Sequence, residues 1–193
     1  MVFMPIVSTG NNREDLLSRL LKDRIILLSG NFTQDLSTSI CAQLLYLDAE
    51  DCNKDIHIYI NSPGGNITDC LAIIDTMNCL QSDVSTIAVG LSASAGAMTL
   101  LSGAEGKRFS LPHSEIMFHE PLGGLEGTAS DVKRRYERFM NMRVVLKQMC
   151  IDILKKPAEE IEKRLFERDN FFNAEQALDF GIINKIITKA DKL

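Results

Sequence analysis

Asp55-Ile56-His57-Ile58-Tyr59-Ile60-Asn61-Ser62-Pro63-Gly64-Gly65 is the stretch on which the fold turns. Apolar and polar side chains alternate through it, so Ile56, Ile58 and Ile60 share one face of a strand and His57, Tyr59 and Asn61 the other. Pro63-Gly64-Gly65 then stops the strand in a turn. Beyond the turn, Ile67, Cys70, Leu71, Ile74 and Met77 recur at helical spacing. The unit is therefore strand, tight turn, helix.

The same rhythm extends in both directions. Upstream, Leu16, Leu17, Leu20 and Leu21 form a helical stripe, Arg24 to Leu28 is extended, and Leu36, Ile40, Leu44, Leu45 and Leu47 mark a second helix. Downstream, Val84 to Val89 reads as a strand, the small residues from Ser92 to Ser102 as a buried helix, and Glu115 to His119 as another strand. Strands alternating with helices predict an α/β fold, a parallel sheet with helices packed outside it.

After Gly127 the pattern changes. From Ser130 to about Lys156 there is no glycine or proline, and charge and methionine are frequent. A helix that long is about twice the mean length, which predicts that it projects and packs on another subunit. Pro157 suits a first helical turn, with Glu159 and Glu160 behind it. A helix over Ala174 to Phe180 stops at Gly181, and Ile182 to Ile187 closes the fold as a strand. No repeat or flexible linker divides the chain. Its 193 residues are read as one domain, 1–193.

Composition narrows the function. Hydrophobic residues make up 45% and charged residues 24%, ordinary values for a soluble globular protein. A net charge of -5 gives no basic face for phosphate, so nucleic-acid binding is not expected. The five cysteines (Cys41, Cys52, Cys70, Cys79 and Cys150) lack Cys-x-x-Cys spacing; free thiols in a reducing compartment are expected, with no metal site. The apolar start Met1 to Val7 has no basic leader and is broken by Pro5, unlike a secretory signal. No uninterrupted apolar run reaches the length of a membrane span. The expected location is the cytoplasm, or an organelle matrix.

Four segments can carry chemistry. Gly90-Leu91-Ser92-Ala93-Ser94-Ala95-Gly96-Ala97 joins a strand to a helix and is built from tiny side chains, which lifts a serine hydroxyl clear of the backbone. Close helix–sheet packing also selects such residues. Ser94, nearer the helix start than Ser92 and two residues before Gly96, is the better nucleophile. Gly64 and Gly65 follow a strand and permit free N–H donors for an oxyanion, or simply a turn. A serine needs a base. Of three histidines, His57 is mid-strand and His113 follows Pro112 in a loop, whereas His119 ends a strand and enters Pro121-Leu122-Gly123-Gly124. A structural histidine is the plainer reading. Asp169, before the aromatic pair Phe171 and Phe172 that can bury it, could orient the imidazole, or be a surface carboxylate. The cluster Lys133-Arg134-Arg135 with Arg138 reads as a solvated or inter-subunit helix face.

Taken together, these segments resemble the proteolytic subunit of the Clp protease over nearly the whole chain. Matching stretches are Ser18-Arg19-Leu20-Leu21-Lys22-Asp23-Arg24-Ile25-Ile26, Tyr59 to Gly65, Asp83-Val84-Ser85-Thr86-Ile87, Gly106-Lys107-Arg108-Phe109, His119-Glu120-Pro121-Leu122-Gly123-Gly124 and Glu167-Arg168-Asp169-Asn170-Phe171. The resemblance implies a serine endopeptidase with Ser94 as nucleophile, His119 as base and Asp169 as acid. Backbone N–H groups of Gly65 (with Gly64 as the alternative) and Ala95 would form its oxyanion hole. It implies the crotonase-like spiral of ββα units, with residues 124–156 as a projecting handle and residues 1–12 as an axial segment. Gly124, Leu125, Glu126 and Gly127 would pair with substrate as an added strand. Two stacked seven-membered rings, a Clp-type AAA+ ATPase that unfolds substrates, unfolded polypeptide as substrate, and no cofactor in this chain (ATP serving the partner) complete the implication.

The chain departs from the family pattern at Ala95, where methionine is usual, at Leu91 and Ser92, at Phe118 and Glu120 around His119, and at Leu154-Lys155-Lys156-Pro157. Two alternatives stay open: a low-activity ring subunit that needs a paralogous partner, and a crotonase-type acyl-CoA enzyme.

Overall fold

The structure, a computed structural model, describes residues 5–9 and 12–189. Of the expected axial segment 1–12, residues 1–4, 10 and 11 lie outside the described residues. The rest enters a hairpin, β1 (Ile6–Thr9) antiparallel to β2 (Asn12–Asp15). Asp15 caps α1 (Leu16–Lys22) by accepting the Ser18 N–H at 3.0 Å. Then follow β3 (Ile25–Ser29), α2 (Gln34–Glu50), β4 (Ile56–Ser62) and α3 (Ile67–Cys79). Thr33 and Asn66 cap the two helices, so both begin where the sequence offers a short polar side chain.

Next come β5 (Val84–Ala93), α4 (Ala95–Leu101), β6 (Arg108–Ser110) and β7 (Glu115–Phe118). The long helix α5 (Ala129–Leu154) starts at a reciprocal cap between Thr128 and Asp131. After Pro157 a short α6 (Ala158–Ile161) passes into a π-helical turn, Glu162–Phe166. β8 (Asn170–Asn173), α7 (Ala174–Phe180) and β9 (Lys185–Ile186) complete the order.

The sheet is mostly parallel, in the order β3-β4-β5-β6-β9, with β7 joining β5 and β8 joining β7 antiparallel. The expected α/β class is what the chain adopts. Ile56, Ile58 and Ile60 are fully buried, as their alternation predicts, and share one core with Ile40 and Leu44 of α2 and Ile73 and Ile74 of α3. On the opposite face Leu27 stays 41% exposed.

β5 serves two ladders. Its first half pairs with β6 through Thr86 to Ala88, its second half with β7 through Leu91 to Ala93. The change falls at an irregularity where Ile60 faces Ala88 but Ser62 faces Ser92, putting two extra residues into β5. Gly90 takes φ 68° there, and Asn61 Oδ1 accepts the Leu91 N–H at 3.3 Å. Bending of this kind sends the strand's end away from β6 toward β7.

Several boundaries differ from the sequence reading. Ser92 and Ala93 belong to β5 instead of the following helix, because their backbones complete ladders with β4 and β7. The closing strand shrinks to Lys185–Ile186, since β6 offers it only a three-residue edge. β6 and β8 were not expected as strands.

Candidate active site

Ser94 sits between β5 and α4 with φ 53° and ψ −116°, a region that side chains bearing a Cβ rarely occupy. Two bonds hold it there: its N–H donates to Met117 O at 2.8 Å, and its carbonyl accepts the Met98 N–H at 2.9 Å. The hydroxyl caps no backbone group of the helix. Small neighbours are required on all sides. A Cβ on Gly64 would lie 2.6 Å from Ser94 Cβ, and one on Gly96 would lie 3.1 Å from Ser62 O. Ser92 has another role, since it is buried and donates to Ile60 O at 3.2 Å.

The turn after β4 packs against this serine. Phe32 pins it, donating to Gly64 O at 2.9 Å and accepting the Asn66 N–H at 3.0 Å. The Gly64 N–H donates to Ser62 Oγ at 3.0 Å, so it is already engaged. Among the described residues, no hydrogen bond uses the N–H of Gly65 or of Ala95. Those two are the free donors of this corner.

His119 follows β7 directly, and Asp169 precedes β8. The antiparallel register that pairs Phe118 with Asn170 brings the next residues, His119 and Asp169, opposite one another. His119 Nδ1 lies 3.8 Å from Asp169 Oδ1, an ion-pair separation too long for a hydrogen bond. The His119 side chain is 12% exposed and the Asp169 side chain 66%. Burial of Asp169 by the aromatic pair does not occur: alternation along β8 turns Phe172 into the core and leaves Phe171 outside.

Ser94 and His119 line one narrow pocket of about 30 Å³, without a direct hydrogen bond between them. Its walls include Ile67, Cys70, Met98, Leu146 and Phe166. The ends of β5 and β7 thus meet at one apolar pocket that Ala95 also lines, and β8 brings Asp169 up to His119 beside it.

A family model described as Clp protease matches residues 8–190. The chain belongs to the Clp protease family. It is therefore a Clp-type peptidase, of a family whose members are oligomeric proteases that work with Clp ATPases. Among the described residues, no helix is long and apolar enough to cross a membrane.

For a Clp-type peptidase, the other candidates fall into place as follows. His57 is half-buried in mid-β4, and the buried Cys70 thiol is pushed up to about 12 by desolvation, so it is inert as a competing nucleophile. Residues 124–127 form an irregular, largely exposed stretch between His119 and α5. The pocket walls escaped the sequence reading, although the first turn of α3, directly after Gly65, was a place to look. Ile67 and Cys70 belong to that helix.

Proposed function

We propose that this Clp-family peptidase is a serine endopeptidase, with Ser94 as nucleophile, His119 as general base and Asp169 as the acid that orients it. What carries the reading is Ser94 itself, held in a strained strand-to-helix corner, sharing a pocket with His119 beside the free N–H groups of Gly65 and Ala95. Ser94 Oγ attacks the peptide carbonyl while His119 accepts its proton. The Gly65 and Ala95 N–H groups donate to the oxyanion, where loss of one such donor typically costs about 10²–10³ in rate. His119 then protonates the leaving amine, and water releases the acyl group from Ser94 by the same steps in reverse. Asp169 must close the 3.8 Å gap to His119 for its part, a tightening common on substrate binding.

In this reading Gly124, Leu125, Glu126 and Gly127 present backbone to an extended substrate, as residues that have no strand partner among the described residues. The barrel of two seven-membered rings, an AAA+ ATPase that feeds unfolded polypeptide to it, and the absence of any cofactor in this subunit belong to the same proposal. The test is chemical. A fluorophosphonate is expected to label Ser94, and Ser94→Ala to abolish labelling and lower peptide cleavage by about 10⁶. Full cleavage by Ser94→Ala would overturn it.

The loose His119–Asp169 contact favours a second reading, a subunit of low activity until it assembles with a paralogue. Activity that appears only on mixing the two chains would support that reading.

A further inference from the structure

Residue 120, next to His119, is a glutamate. Its carboxylate accepts from Arg143 Nε at 3.3 Å. Arg143 stands on α5, and its Nη2 pairs at the same time with Glu162, the first residue of the π-helical turn. Lys147 Nζ reaches the other oxygen of Glu162 at 2.6 Å. The Arg143 guanidinium also lies 5.7 Å from the ring centre of Phe166, which lines the pocket. One planar, two-sided cation therefore joins the segment after His119 to the turn that leads into Asp169. A lysine, with its donors on one rotatable nitrogen, would lack the fixed fork that spans the two carboxylates here.

The segment needs an anchor. Among the described residues, no backbone–backbone hydrogen bond is made by residues 120–127, and the Glu120–Arg143 contact is the one side-chain hydrogen bond in that stretch. Leu122 within it is 77% exposed. As a source of stability the pair is weak, because Glu120 is 52% exposed and water screens it. What the pair does supply is geometry: it ties Glu120, the residue after His119, to α5.

We propose that Arg143 is a positioning residue for His119, holding the loop after β7 at a set distance from the turn before Asp169 by gripping Glu120 and Glu162 with one guanidinium. This rests on the assignment of His119 as the base. Arg143 touches no reacting atom, and it acts through Glu120.

The test uses the full-length assembled protein, a fluorogenic peptide for kcat and KM, and the rate of Ser94 labelling by a fluorophosphonate. Arg143→Ala is expected to lower kcat about tenfold, with the labelling rate falling in step and KM within about twofold. Glu120→Ala should do much the same, and the double variant should be no slower than the slower single one, the mark of two residues acting through each other. Lys147→Met, which removes the other cation from Glu162 and leaves Glu120 held, should keep kcat within about twofold. Two results overturn the inference: Arg143→Ala with kcat unchanged, or Arg143→Ala and Lys147→Met lowering kcat alike, the pattern of general damage to α5. Cleavage that survives Ser94→Ala removes the nucleophile assignment beneath it, a different and separable failure.

Discussion

At the scale of single residues, the backbone of Ser94 is the most demanding feature. A side chain at φ 53°, ψ −116° stores on the order of 1–3 kcal/mol. Ser94→Gly should relieve it, and after the extra chain entropy of glycine the variant is expected to be about 1 kcal/mol more stable than Ser94→Ala. Both variants lack the hydroxyl, so urea unfolding separates the backbone effect from the chemistry. Gly64→Ala should fail differently, since its Cβ meets Ser94 Cβ at 2.6 Å and backbone at 3.0 Å, displacing the proposed nucleophile. His57 carries the clearest pH effect. Burial lowers its pKa below the ordinary 6.5, and Nδ1 has no hydrogen-bond partner among the described residues. The unfolded chain therefore binds the proton more readily, and stability falls as pH drops from 6.5 through the depressed folded value. His57→Asn is expected to flatten the loss of stability between neutral and mildly acid pH, measured by denaturant unfolding. Of these residues, Ser94 stood out in the sequence as a candidate because tiny neighbours surround it, a pattern that close helix–sheet packing also selects, whereas its dihedral angles were not legible there.

At the scale of elements, legibility followed length and periodicity. β4 was readable because three isoleucines alternate with polar residues, and α5 because 26 helical residues run without a breaker. β6 and β8 have three and four residues, too short for a period to declare itself, and their strand character comes from neighbouring edges. Asp169 illustrates the cost: with β8 unseen, its placement opposite His119 could not be derived from pairing, and the residues alone left it open between an orienting acid and a surface carboxylate. The irregularity in β5 was equally hidden. Asn61, whose Oδ1 holds the Leu91 N–H, supports it. Asn61→Ala is expected to lower kcat by about tenfold or more, because small displacements of a reacting group are costly, while overall stability changes little. Peptidase kinetics beside urea unfolding would check both halves. The start of α5 is a simpler case: Thr128→Ala removes a reciprocal cap and should cost about 1 kcal/mol.

Across the whole molecule, one side chain holds the start of the sheet together. Arg24 donates to Asp55 O, Leu47 O, Lys54 O and Ser82 Oγ at 2.8–3.2 Å, tying β3 to the end of α2, the start of β4 and the approach to β5. Arg24→Met should cost on the order of 3 kcal/mol, read as a lower urea midpoint, because several carbonyls lose a charged donor together. The sequence offered Arg24 as the start of an extended run and as part of a matching stretch, but it stands in the turn before β3 with φ 62°; its four contacts come from places up to 58 residues away, which no local pattern encodes. The division of β5 between two partners has a mechanical consequence. Ser94, His119 and Asp169 all ride on the leaf made by β7, β8 and the last residues of β5, bound to one another by the ladder and by the Ser94–Met117 bond. The larger leaf meets them through the bend at Gly90 and through β4, where Ser62 pairs with Ser92 and Ile60 O accepts from Ser92 Oγ. Strain arriving from the rest of the sheet therefore pivots the three groups as a raft and leaves their mutual spacing to be set locally.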